Sequence, residues 1–295
     1  MKPLMEPLLL ALGLCLTTNV AYEAANASPL PAVSDGPYAK PPRPGSSKPR
    51  YHVALLLGAK PEPTTGTMIM RAVGRGNVPA LIRRPLFRRW HPYLPTPPEL
   101  RHYHLPPLPG YNFADPLAVN HHRQVVGYYG GGGSGAYLVV LAKAFVWQNG
   151  RLHFLPTLPE YTITHAVAIN NHGLVAGDAS LGSFPGDENV PAHAVCWVHF
   201  KIRDLGTGAA LAVNNAGAIV GDSGNGPAVS YHDPHALLWT HGYRYDLNDC
   251  LPPRSGWVLS TATGITNNGQ ITGYGLFHGK EQAFVLTPLR NTEKR

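Results

Sequence analysis

Four residues of this sequence hold the same place in a recurring phrase. Tyr128, Asp178, Asp222 and Tyr274 each follow the glycine that ends it. If the phrase folds alike each time, two carboxylates and two phenols stand at matching heights in neighbouring units. Acids beside tyrosines suit a sugar or a cation. Two carboxylates roughly 5 to 9.5 Å apart would also suit acid–base work on a glycosidic bond. The simpler reading is that Asp178 and Asp222 accept hydrogen bonds from loop backbone. Tyr128, Asp178, Asp222 and Tyr274 are therefore the ligand-binding candidates, and no residue is assigned a catalytic role.

Other side chains offer less. The 15 histidines invite a metal. His102 and His104 alternate, so on a strand they share a face, and His121 is followed by His122. Neither pair has a cysteine or carboxylate at ligand spacing. His193 and His235 share a repeat position with Lys143 and Gln282, and a position that accepts lysine is not a metal ligand. No metal site and no cofactor are expected. The glycines from Gly130 to Gly133 lack the Lys-Ser/Thr of a phosphate loop. No nucleophile-elbow motif frames a serine.

The phrase itself reads apolar-Asn-x-x-Gly, then apolar-x-Gly. It occurs at Val119–Gly127, Ile169–Gly177, Val213–Gly221 and, with threonine for asparagine, Ile265–Gly273. Each copy is followed by a second phrase: Lys143-Ala144-Phe145-Val146-Trp147, His193-Ala194-Val195-Cys196-Trp197, His235-Ala236-Leu237-Leu238-Trp239 and Gln282-Ala283-Phe284-Val285-Leu286. Equivalent glycines lie 50, 44 and 52 residues apart (127 to 177, 177 to 221, 221 to 273). In the second copy the pattern predicts strands at Thr164–Asn170, Leu174–Ala179, Ala192–Val198 and Ile202–Leu205, rich in β-formers and separated by turn residues. Asn171-His172-Gly173 reads as a tight turn in which asparagine and glycine accept positive φ.

Four strands every 40 to 50 residues suit a propeller blade. The expectation is an all-β fold, a β-propeller of about five four-stranded blades. They fall near 64–105, 111–155, 161–205, 209–247 and 258–286, the first a decayed copy. The last copy lacks a fourth strand, and 51–57 is a strand without a blade. Pairing the two would close the ring and hide open edges. Trp147, Trp197 and Trp239 would pack between blades, and Ala118, Ala168 and Ala212 would sit where strands converge. An open array of hairpin sheets is the alternative.

Residues 1–27 look like an export signal: Lys2, the apolar run from Leu8 to Leu16, then Ala25-Asn26-Ala27 as a small-x-small cleavage site. That run is too short to cross a bilayer, which needs about 20 apolar residues, so no transmembrane span is expected. Residues 28–50 hold seven prolines and read as a linker. Residues 28–105 carry 12 Lys/Arg against 3 Asp/Glu, or +9, while 106–295 carry 11 against 12, or −1. The positive excess, densest around Arg83, Arg84, Arg88 and Arg89, suits an anionic surface. Export argues against nucleic acid as partner. Cys196 and Cys250 could pair in an exported chain, although Cys196 reads more simply as a buried thiol.

The two phrases in order, followed by a short strand such as Asp204-Leu205-Gly206 or Asp246-Leu247, resemble the HAF-repeat family of exported bacterial proteins. The resemblance covers about Leu105 to Leu286. It departs most in the first copy, where Arg84-Pro85-Leu86-Phe87 replaces His-Ala-Phe. It implies secretion, or a periplasmic or surface location in a Gram-negative bacterium, and carries no reaction, cofactor or catalytic residue. The expected function is a non-enzymatic binding or scaffold module outside the cytoplasm, with a glycan or an anionic envelope polymer as partner. The alternative is a carbohydrate-active propeller enzyme that uses the rim carboxylates.

Overall fold

Alternating apolar residues and turn formers produce antiparallel hairpins along the whole repeat region. The computed structural model describes residues 48–56, 68–71, 81–84, 100, 103–131, 141–181, 192–224 and 234–289, all within one unit of residues 35–295. The fold is all-β, in several sheets, none closed on itself.

The first repeat is built from β4 (Phe113–Val119), β5 (Val125–Gly131), β6 (Leu141–Gln148) and β7 (Arg151–Phe154). The second uses β8 (Ile163–Ile169), β9 (Val175–Ser180), β10 (His193–Val198) and β11 (Lys201–Thr207). The third uses β12 (Ala209–Val213), β13 (Ile219–Asp222), β14 (Ala236–Thr240) and β15 (Tyr243–Asp246). The fourth has β16 (Trp257–Ile265), β17 (Ile271–Phe277) and β18 (Lys280–Pro288) from its own segment. Its outer strand is β1 (Tyr51–Leu55), antiparallel to β18 with Val53 opposite Leu286. Residues 51–55 thus lie beside 284–288, the pairing that the spare strand and the missing fourth strand called for. The first two repeats also share one parallel bridge, Ala142 to Ile163. Ahead of them, β2 (Met68–Arg71) and β3 (Leu81–Arg84) form a separate hairpin.

The strand bounds expected for the second repeat agree with those observed to within two residues at each end. The turn mechanism differs. Positive φ falls on Gly173, Gly217 and Gly269, and in the first repeat on Arg123 at 58°. The turn asparagines Asn120, Asn170, Asn171, Asn214 and Asn215 are not among the positive-φ residues, and their part is played by side-chain hydrogen bonds.

The core lies between repeats. Val126, Ala144 and Val146 of the first repeat join Ala166, Val175 and Trp197 of the second in one apolar cluster. Ala176 and Cys196 of the second meet Ala210, Ile219 and Trp239 of the third. Val220 and Leu238 of the third meet Leu259, Ile271 and Phe284 of the fourth, with Tyr51 of β1. Each sheet alone would leave such a face wet. Covering one Leu- or Phe-sized side chain favours folding by about 1.5–3 kcal/mol. The strand-three tryptophans do more than fill space. Trp197 Nε1 donates to the Pro156 carbonyl of the preceding repeat at 2.7 Å, and Trp239 Nε1 to the Leu205 carbonyl at 3.0 Å.

The inner strands share an irregularity. The first strand of each repeat carries a bulge at one place: between Pro116 and Ala118, Ala166 and Ala168, Ala210 and Ala212, and Ala262 and Gly264. This accounts for the glycine that ends the phrase. A Cβ at Gly127, Gly177, Gly221 or Gly273 would lie 1.9 to 2.0 Å from the carbonyl oxygen of Asp115, His165, Ala209 or Thr261. Ala118, Ala168 and Ala212 sit just past the bulge and are half-buried. The bulge also tolerates Pro116, which offers no ladder donor.

Cys196 and Cys250 are both free and buried, in different apolar clusters. Burial pushes each thiol up to about 12. They do not form the bond that an exported chain would permit.

Candidate functional site

Each inner hairpin offers two places where polar side chains collect. The first is its turn. Asn120 Oδ1 accepts the amides of His122 and Gln124, both at 3.0 Å. Asn170 does the same for His172 and Leu174, both at 2.9 Å. Asn214 Oδ1 takes the Ala218 amide at 2.9 Å. The amide nitrogen of each then reaches the next repeat. Asn120 Nδ2 donates to the Asn170 carbonyl at 3.0 Å, Asn170 Nδ2 to the Asn214 carbonyl at 2.9 Å, and Asn214 Nδ2 to the Thr266 carbonyl at 3.0 Å. A second rung lies outside it. The main-chain amides of His121, Asn171 and Asn215 donate to the side-chain oxygens of Asn171, Asn215 and Asn267. Only a side chain with both an acceptor and two donors can cap its own turn and bridge outward. Thr266 caps, through Oγ1 and the Gln270 amide at 3.0 Å, but has no amide with which to continue the ladder.

The ladder ties four turns into one polar rim, with His121, His122, Arg123, His172, Asn267 and Asn268 exposed. Between the third and fourth turns the rim dips into a groove of about 500 Å³. Lys48, Arg50, His241, Tyr245, Asn267 and Asn268 are among the residues that line it. Lys48 is held on the exposed Asp249 carboxylate at 3.1 Å.

The second place is the opposite end of the hairpin, where the four candidates stand. They occupy one register: Tyr128 opposite Asp115, Asp178 opposite His165, Asp222 opposite Ala209 and Tyr274 opposite Thr261. Strand alternation turns Tyr128 and Asp222 toward the following repeat. The Tyr128 ring meets the His165 ring edge-on at 4.5 Å, and Thr261 hydrogen-bonds the Asp222 carboxyl. The eight positions form a polar line through the inner strands. It is well covered: Tyr128 is 5% exposed, Asp178 0% and Tyr274 4%, and Asp222 is half-buried.

Within that line the two aspartates differ. Asp178 Oδ1 lies 3.0 Å from His165 Nδ1. Its Oδ2 is buried and meets no hydrogen-bond donor of the protein. Asp222 accepts the Gly224 amide at 3.0 Å, which is the loop-backbone bond that a bland reading expected. Burial pushes its carboxyl up to about 6, with the charge of Asp178 adding to the rise, against the pull of the Gly224 and Thr261 hydrogen bonds.

Sequence reasoning singled out the strand-two residues but missed their strand-one partners Asp115, His165 and Thr261. It also missed two outer pairs, His193–Asp204 at 3.0 Å and His235–Asp246. In both, the histidine precedes the aspartate by 11 residues, a recurrence visible in the text. Of the basic cluster, Arg83 and Arg84 fall in β3, while Arg88 and Arg89 lie outside the described residues. So do His102 and most of the loops 130–141 and 181–191. Among the described residues no group of three or more His, Cys, Asp or Glu could hold a metal, and no helix is long and apolar enough to cross a membrane. Comparison with family models, with curated proteins and with solved structures returned no match for this chain.

Proposed function

We propose that this chain is a non-catalytic binding module, exported to the periplasm, the cell surface or the medium, and that its turn rim holds a glycan or an anionic envelope polymer. One observation carries the reading. The groove of about 500 Å³ between the third and fourth turns brings Lys48 and Arg50 together with the amides of Asn267 and Asn268 and the His241 ring. Cations beside amide donors and acceptors suit a ligand bearing hydroxyls and carboxylates or phosphates. The Asn ladder supports the groove by holding the turns at fixed separation, so little conformational entropy is lost on binding.

The same reading takes the sheets as blades of a five-bladed propeller. The inter-repeat clusters favour it, as does the adjacency of β3 to β16, which puts the first hairpin next to the last repeat. The resemblance to HAF-repeat proteins and the signal-like N-terminus support export. The carbohydrate-active alternative needs both acids open to substrate, and full burial of Asp178 weighs against it.

The test is binding of the purified mature chain to a glycan array and to anionic polymers at low and high salt. Selective binding that weakens at least tenfold in K48Q/R50Q is the expected result. Turnover of a bound glycan, lost in D178N/D222N, would transfer the assignment to the enzyme. Binding that ignores glycan structure and vanishes equally for every polymer in salt would reduce the groove to a charged surface.

A further inference from the structure

We propose that Asp178 and Asp222, with the Thr261 hydroxyl, bind one hard, oxygen-seeking cation of the calcium class in the polar line between the second, third and fourth repeats. This goes beyond the rim and does not depend on what the rim binds.

Asp178 supplies the starting observation. Its side chain is 1% exposed. One carboxylate oxygen is met by His165 at 3.0 Å, and the other is buried without a donor. Taking a carboxylate out of water costs several kcal/mol unless its lone pairs are met, and an unmet buried oxygen calls for an ion or an ordered water.

The second carboxylate is independent of the first. Asp222 comes from the next repeat and faces the one after, where Thr261 bonds it. The two acids repel each other, and no cationic side chain figures among the groups acting on Asp222. At the strand-one position of this junction the chain places Ala209, where the other repeats place Asp115, His165 and Thr261. Alanine has no polar atom, so that position offers neither acid the hydrogen-bond partner that a polar residue would supply there.

The donor set decides the kind of cation. Carboxylate and hydroxyl oxygens suit calcium, which takes 6–8 oxygens and accepts main-chain carbonyls and water to complete them. Cys196 lies in an apolar cluster, and the imidazole at hand, His165, already has Nδ1 against Asp178.

The experiment uses the mature chain stripped with a chelator and then dialysed. Calcium in the millimolar range, typical of extracellular modules, is expected to raise the melting temperature by about 5 °C. Titration calorimetry should give one calcium per chain. D222N should weaken calcium at least tenfold while its calcium-free form still melts cooperatively, and D178N should lose the heat altogether. If D178N does not fold, D222N and T261V decide by the same titration. The proposal is overturned if calcium and magnesium change neither melting nor heat, which would leave a water or a shared proton between the acids. A calcium response that survives in both D222N and T261V overturns it equally. Polymer binding at the rim, measured separately with K48Q/R50Q, fails or succeeds without bearing on this result.

Discussion

Each inner hairpin has two ends, and the repeats treat them differently. At the turn end the residues change little: asparagine caps and bridges in three repeats, and threonine caps in the fourth. At the other end the backbone is equally regular, with the same bulge and the same glycine, yet the side chains differ in every repeat. In register, tyrosine stands opposite aspartate, aspartate opposite histidine, aspartate opposite alanine and tyrosine opposite threonine. A position repeated in both backbone and side chain serves the stack. A position repeated in backbone alone is free to acquire individual chemistry, and here one of its oxygens is left unmet.

This contrast can be broken most forcefully at the glycine on which the two ends depend. Gly177→Ala would place a methyl 1.9 Å from the His165 carbonyl oxygen. Backbone must move to admit it, and a loss of about 3 kcal/mol or more is expected in urea unfolding. The equivalent change at Gly221 should cost as much, because its clash is the same.

Next comes the ladder. Asn170→Ala removes the acceptor for two turn amides and the bridge to Asn214. A cost of about 2 kcal/mol is expected. Asn170→Asp keeps the caps and loses the bridge, so it separates the two roles in the same measurement. A smaller effect, about 1 kcal/mol, is expected for Trp197→Phe, which keeps most of the ring and drops the bond to Pro156. If Asn170→Asp were as stable as the parent, the bridge would contribute nothing, and the turn end would owe its regularity to capping alone.

The polar end gives a pH signature. A carboxyl raised to about 6 on folding, from an ordinary value near 4, holds its proton more tightly in the folded chain. Its contribution to stability is fully present below about 4 and is lost as pH rises through about 6. In chelator, the difference in melting temperature between parent and Asp222→Asn should therefore change across that window and level off above it. The smallest effect belongs to the outer pairs. Burial works to raise the Asp204 carboxyl, but His193 and the Gly206 amide bond it and the imidazolium attracts it, leaving it below the usual range. That contribution is present above the ordinary carboxylate pKa and lost as pH falls through the lower folded value. Asp204→Asn should cost only a few tenths of a kcal/mol at neutral pH, since the pair is partly open to water.

What could be read from residues alone follows the same division. In the second repeat, strand number, order and bounds came from periodicity and turn residues, and the partner for β18 came from counting strands. The shared register of Tyr128, Asp178, Asp222 and Tyr274 came from the repeat. The bulge was hidden, because nothing in Val167 or Leu211 distinguishes a bulged residue from a paired one. The asparagine ladder was hidden too. Asn170 reads as the last residue of its strand, and its bridging bond depends on a turn 44 residues away. The environment of Asp178 required knowing that Ala209 lies across the junction, which no spacing rule states.

The strand that completes the last sheet has a topological consequence. β1 runs antiparallel to β18, and the amide of Leu289 bonds the carbonyl of Arg50, so the entrance to β1 adjoins the exit from β18. In the other repeats the third and fourth strands are joined there by tight reversals such as Asn149-Gly150 and His241-Gly242. The molecule is thus spliced one strand away from its natural seam. A circularly permuted gene carrying 48–56 after 289, joined by a two-residue reversal, would make each sheet from one unbroken segment. During synthesis of the native order, by contrast, the earliest strand must wait for the latest one.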